Sequence, residues 1–318
     1  MSSNSSSQGR KSLLSHPVTP HDLTVITTLR GMVSAHKGKM QGTVAREPFN
    51  AISERVSPPN GVEFCPDSVG GIPGTWCLPA RAREGEVFIH LHGGWFNWGT
   101  SQSFRNLVGQ MAVRSGVNAF IPDYRLAPEH PFPSAVDDIQ ACYQALVQKG
   151  LKVAVTGDSA GGNLALVLAA VAVSSGYELP VGVAVLSPVT DLALTGPSFE
   201  TKAEAEPYFT RAQVEGLVGA YLGTADPRNW LASPLYGDLQ GLPPVQIHVG
   251  EDEILLDDSR RYFERAIKAG NDVTLDIWEG MPHGFANTIG QTAAAELALN
   301  AIGEFLSEQF QSHRGDKV

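Results

Sequence analysis

At 318 residues, 42% hydrophobic and 18% charged, the chain has the make-up of a globular protein with a substantial core, either one large α/β domain or two ordinary ones. A net charge of −10 argues against a nucleic-acid partner, because phosphate binding needs an excess of Lys and Arg. No apolar run is long enough to span a bilayer, so no membrane insertion is expected.

The Ser-rich residues 1–8 lack the apolar centre of a secretory signal and read as a disordered tail. Thr19-Pro20-His21-Asp22 is a helix start: Thr19 can cap, Pro20 suits the first helical position and Asp22 the first turn. Leu23, Ile26, Leu29, Met32 and Val33 follow at helical spacing. Residues 55–64 and 74–78 read as short strands. Strands and helices then alternate: strands at 86–92, 117–124, 152–156, 181–186, 245–249 and 273–278, and helices at 104–114, 134–148, 160–174, 258–269 and 293–310. Apolar strands alternating with helices predict a mostly parallel sheet covered on both faces. Residues 191–243 are too long for an ordinary connection and carry a capping-box pattern, Thr210-Arg211-Ala212-Gln213, before an apolar helical stripe. This segment and the N-terminal helix are the candidates for a lid.

The three cysteines, Cys65, Cys77 and Cys142, are few for the length and suggest a reducing, cytoplasmic setting. Their spacing matches no zinc site, and no metal or cofactor is expected.

Gly157-Asp158-Ser159-Ala160-Gly161 stands between a predicted strand and a predicted helix, the context in which Gly-x-Ser-x-Gly forms a nucleophile elbow. The sharp turn points the serine hydroxyl out of the sheet, and small neighbours let the helix start close by. Standing alone, the same residues also fit a capping serine in a glycine-rich turn. His92-Gly93-Gly94-Trp95 closes an upstream strand, and its glycines let backbone N–H groups approach a negatively charged oxygen.

A serine nucleophile needs a base, and the base an orienting group. Of nine histidines, His283 follows the strand ending at Trp278 and so sits at a carboxyl end of the sheet, where Ser159 is also expected. His16, His21, His36 and His313 fall in terminal or lid segments, His248 inside a strand, His90 and His92 on the glycine-loop strand, and His130 in a Pro-rich loop. For the acid, Asp252 in Val249-Gly250-Glu251-Asp252-Glu253 lies just past a strand end, giving the chain order Ser, Asp, His. Glu251 and Glu253 read as solvated competitors, and Asp257 and Asp258 as helix caps.

Together these motifs resemble the hormone-sensitive-lipase-like (family IV) esterases of the α/β-hydrolase superfamily, over roughly residues 75–290. The resemblance rests on His92-Gly93-Gly94, on Gly157-Asp158-Ser159-Ala160-Gly161-Gly162-Asn163, on Gly250-x-Asp252 and on His283-Gly284-Phe285. The run from Asp123 through Tyr124-Arg125-Leu126-Ala127-Pro128-Glu129 to Pro133 is especially characteristic. It implies an α/β-hydrolase fold with about eight strands and a helical cap. The division would be 1–50 as tail and N-terminal cap helices, 51–190 and 244–318 as catalytic core, and 191–243 as cap insertion after the sixth strand. It implies Ser159 as nucleophile, Asp252 as acid, His283 as base, and Gly93, Gly94 and Ala160 as oxyanion donors. The activity implied is cofactor-free hydrolysis of short- to medium-chain acyl esters of small molecules, and family members often pair as homodimers. One departure stands out: Trp95 occupies the place of the family's usual third glycine, and with Phe96 and Trp98 it either lines the substrate pocket or packs the loop under the lid. A His-Gly-Gly-x-aromatic loop also occurs in arylformamidases, so formamide or lactone hydrolysis by the same triad is the alternative. A non-catalytic receptor on this fold is disfavoured by the presence of His283.

Overall fold

Along β4 (Glu86–Leu91), Val87, Ile89 and Leu91 enter one apolar cluster and Phe88 another, so a strand buried on both faces serves two cores. That pattern sets the architecture of the computed structural model, which describes residues 11–315. Its strands are β1 (Lys11–His16), β2 (Val62–Val69), β3 (Ile72–Pro79), β4, β5 (Asn118–Pro122), β6 (Lys152–Asp158), β7 (Val183–Leu186), β8 (Val245–Gly250) and β9 (Val273–Trp278). They form one nine-stranded sheet in the order β1-β9-β8-β7-β6-β4-β5-β3-β2. All neighbours pair in parallel except where β3 meets β2 and β5.

The helices are α1 (Pro20–Val33), α2 (Arg46–Ser53), α3 (Ser101–Ser115), α4 (Ser134–Gln148), α5 (Ala160–Ser175), α6 (Ser198–Thr201), α7 (Arg211–Leu222), α8 (Leu256–Lys268) and α9 (Ala293–Gly315). Residues from α4, α5 and α8 share the first cluster, and residues from α3 and α9 the second, so both faces of the sheet are covered. Every residue of α5 from Ala160 to Ala172 is buried, which accounts for the unbroken run of Ala, Leu and Val that starts at Leu164. Thr19 caps α1 through the N–H of Asp22 at 3.1 Å, and Thr210 with Gln213 forms the capping box of α7, both as the sequence predicts.

The predicted tail at residues 1–8 lies outside the described residues. The strand β1 is an addition to the predicted sheet. It pairs in parallel with β9 and shows that residues 11–16 belong to neither tail nor cap. Leu13 and Leu14 on it stay 55% and 48% exposed, so no burial pattern marks it in the sequence. With β1 counted, the long insertion at 191–243 follows β7, the sixth of the strands predicted from residue 74 onward plus that at 55–64.

The insertion and the N-terminal segment meet each other. The N–H of Gly38 donates to the Tyr208 carbonyl at 2.9 Å, and the Gln213 amide to that of Met40 at 2.6 Å. The indole of Trp98, from the loop after β4, donates to the Gly42 carbonyl at 2.8 Å. The strand order reverses around β4, since β5 lies on one side of it and β6 on the other, which opens a crevice at the carboxyl ends.

Candidate active site

Ser159 joins β6 to α5 with φ 55° and ψ −118°, a conformation that costs a non-glycine residue about 1–3 kcal/mol. The surroundings over-determine it. Its N–H donates to the Leu186 carbonyl at 2.8 Å, and its own carbonyl accepts the N–H groups of Asn163 and Val189, each at 3.1 Å. The flanking glycines are required by space. A Cβ on Gly157 would stand 2.3 Å from the Gly161 carbonyl oxygen, and one on Gly161 would stand 1.8 Å from that of Leu91. The second approach draws the start of α5 against the end of β4.

Ser159 and His283 line one cavity of about 10 Å³, together with Leu107, Leu186, Phe285 and Asn287. His283 follows β9, as predicted. Its Nδ1 lies 2.6 Å from Oε2 of Glu253, with the ring 11% exposed and the carboxylate fully buried. The other Glu253 oxygen accepts the Ser187 hydroxyl at 2.7 Å and the Gly250 N–H at 2.6 Å. Burial works against the imidazolium, yet the charge and hydrogen bond of Glu253, with further charge from Glu206 and Asp158, hold the His283 pKa above its ordinary value.

The expected acid, Asp252, does not meet the histidine. Its carboxylate turns toward the cap, where Arg30 of α1 donates to it at 3.0 Å and Lys202 lies at 3.4 Å. The reason is the turn after β8. The Asp252 N–H is fixed to the Met281 carbonyl at 3.0 Å, while Glu253 folds back under the strand end onto the Gly250 N–H, so the two side chains leave on opposite sides. A Cβ on Gly250 would stand 2.2 Å from the Met281 carbonyl oxygen, so the two loops approach closely enough for Glu253 to reach His283.

The glycine loop is fastened at its start. The N–H of Gly93 is already engaged, donating at 2.9 Å to Oδ1 of Asp158. The same oxygen lies 3.2 Å from Nε2 of His90, whose Nδ1 meets the Thr156 hydroxyl at 2.9 Å. Gly94, Trp95 and Phe96 follow with φ of 115°, 53° and 61°, a run of left-handed residues that turns successive peptide planes through the loop. The motif after β5 buttresses it: the Ala127 N–H donates to the Phe96 carbonyl at 2.9 Å, and Arg46, paired with Glu129, donates to the Asn97 carbonyl at 2.9 Å.

The three loop aromatics divide. Phe96 stacks on Tyr221 of α7 at 3.8 Å between ring centroids, and Trp98 packs beside Phe49 of α2, so both serve the cap contact and not the cavity. Trp95 meets Phe209 edge-on at 5.6 Å, and Phe209 meets the His283 ring edge-on at 5.5 Å. Sequence reasoning passes over Phe209, which stands in the irregular part of the insertion with no periodicity to mark it.

A strained serine on a strand-to-helix turn, with a carboxylate-bound histidine at the same sheet edge, defines an α/β-hydrolase. A family model described as the alpha/beta hydrolase fold matches residues 88–287. The chain is 39% identical over 219 residues to an acetyl-hydrolase of Streptomyces hygroscopicus, covering 68% of this chain and 73% of that one. It is 36% identical over 259 residues to an esterase of Acinetobacter venetianus, covering 79% and 84%. A solved esterase of the bacterial hormone-sensitive lipase family superposes with a TM-score of 0.86 at 34% identity, covering 92% of this chain and 98% of the other. The chain belongs to the α/β-hydrolase family, in the branch of hormone-sensitive-lipase-like esterases, and is a hydrolase of the carboxylesterase type. Among the described residues no helix is long and apolar enough to cross a membrane.

Proposed function

We propose that this enzyme hydrolyses short- to medium-chain acyl esters of small alcohols through an acyl-enzyme on Ser159. The observation that carries the reading is the shared cavity of Ser159 and His283, with Nδ1 of His283 held by Glu253 at 2.6 Å. That bond leaves Nε2 to work as the base. Nε2 takes the Ser159 proton as Oγ bonds to the ester carbonyl carbon, and the carbonyl electron pair moves onto oxygen. The oxyanion is received by the N–H groups of Gly94, Trp95 and Ala160, with Trp95 standing in for the engaged Gly93. Collapse breaks the bond to the alcohol oxygen, which takes the proton from Nε2, and water repeats the sequence on the acyl-enzyme. Glu253 fixes the imidazole tautomer and balances the imidazolium. Residues 191–243 and the N-terminal helices act as the cap in this scheme.

The short-chain reading is supported by the likeness to an acetyl-hydrolase. With p-nitrophenyl acetate, butyrate, caprylate and laurate as a series, kcat/KM is expected to be highest for acetate or butyrate and at least about tenfold lower for laurate. A preference for laurate would refute the short-chain reading.

The pH dependence follows from the same geometry. His283 acts as base only when neutral, and its pKa is raised, so activity is lost as pH falls through a value above that of an ordinary histidine. A kcat/KM profile for p-nitrophenyl acetate is expected to show its acidic midpoint above the ordinary histidine range. A midpoint below that range would contradict the assignment of the base.

A further inference from the structure

Between α6 and α7 the cap carries a fully buried carboxylate, Glu206. One oxygen accepts the Tyr208 N–H at 2.9 Å, and the other faces the N–H of Ile254 at 3.5 Å. Ile254 follows Glu253 in the chain, so Glu206 rests on the backbone of the loop that holds the histidine's partner. Among the described residues no Lys or Arg forms an ion pair with it. A buried carboxylate without a cation costs stability, and a glutamine could accept a hydrogen bond from the same N–H groups.

We propose that Glu206 is a positioning residue acting through His283: when ionised, it adds a second negative charge beside the Glu253–His283 pair and favours the imidazolium formed during acyl transfer. The cap thereby supplies part of the base's electrostatic setting, and seating the cap on the acid loop becomes a condition for full activity. The inference rests on the reading of His283 as base. Burial pushes the Glu206 carboxyl up to about 7, with His283 drawing it down and Glu253 pushing it further up. The charged groups facing His283 are Glu253 from the loop after β8, Asp158 from β6 and Glu206 from the cap. Tyr208 adjoins Glu206, and Arg30 of α1 acts on Tyr208 while donating to the Ala205 carbonyl and to Asp252, which also meets Lys202.

The test is Glu206→Gln in the full chain, with kcat and KM for p-nitrophenyl acetate followed across neutral pH. The acidic midpoint of kcat/KM is expected to move down by about half a pH unit or more, because a charge favouring the imidazolium is gone. kcat should fall about three- to tenfold with KM nearly unchanged. A midpoint that superimposes on that of the parent protein, whatever the loss of rate, would reduce Glu206 to a structural role and overturn the proposal. Should the variant fail to fold, the downfield His283 ring proton of the parent protein is followed by NMR. A step in its titration at the pH where the Glu206 side-chain carboxyl itself titrates, read from that carbon's own shift, supports coupling to Glu206, and the lack of such a step overturns it. That signal reports on His283 whether or not it is the base, while Ser159→Ala judges the catalytic reading separately.

Discussion

Ser159→Ala is expected to reduce kcat for p-nitrophenyl acetate by on the order of 10⁴- to 10⁶-fold. In the proposed mechanism the hydroxyl is the atom that bonds to the acyl carbon, and nothing else on the turn can replace it. The turn itself should survive. Its backbone is fixed by the Leu186, Asn163 and Val189 hydrogen bonds, which involve main-chain atoms only. The thermal midpoint should therefore stay close to that of the parent protein. In parallel, a fluorophosphonate should add to Ser159 in the parent protein and to nothing in the variant, read by peptide mass. Retention of parental activity by the alanine variant would remove Ser159 from the mechanism.

The second large effect separates two neighbouring acids. Glu253→Gln keeps the shape of the side chain but presents His283 Nδ1 with a neutral amide, which can reverse the tautomer and removes the charge opposite the imidazolium. A loss of about 10³- to 10⁴-fold in kcat is expected. Asp252→Asn gives up its contacts with Arg30 and Lys202. These pairs are partly exposed, with the Asp252 side chain at 27%, and such pairs contribute roughly 0–1 kcal/mol. Its activity should stay within about threefold of the parent. The reverse ranking of the two variants would return the orienting role to Asp252.

These two variants also mark where the sequence is readable. The elbow is legible because its constraints are local. Gly157 and Gly161 must lack side chains where the strand and helix nearly touch, and that requirement writes itself as spacing. His283 is legible because it lies in the loop just after β9, and strand ends are set by apolar runs. The choice between Asp252 and Glu253 depends on how one turn folds back onto Gly250, which leaves no periodic trace. The bond at Gly93 is hidden for a related reason: the carboxylate that engages its N–H comes from Asp158, 65 residues further along the chain. Phe96, Trp98 and Trp95 look alike in sequence, and only the approach of α7, α2 and Phe209 gives each its own partner. The strand β1 escapes because its leucines are exposed; it is held by edge pairing and by His16, which stacks on Trp278 at 3.9 Å and meets Asp276 at 2.7 Å.

Asp158 stands at a position that Gly-x-Ser-x-Gly leaves free, yet its oxygen fastens the loop after β4 to the residue preceding the nucleophile. Ser159 and the glycine loop are thereby joined through one carboxylate and two adjacent strands. The motif's variable letter works here as the gauge block of the site.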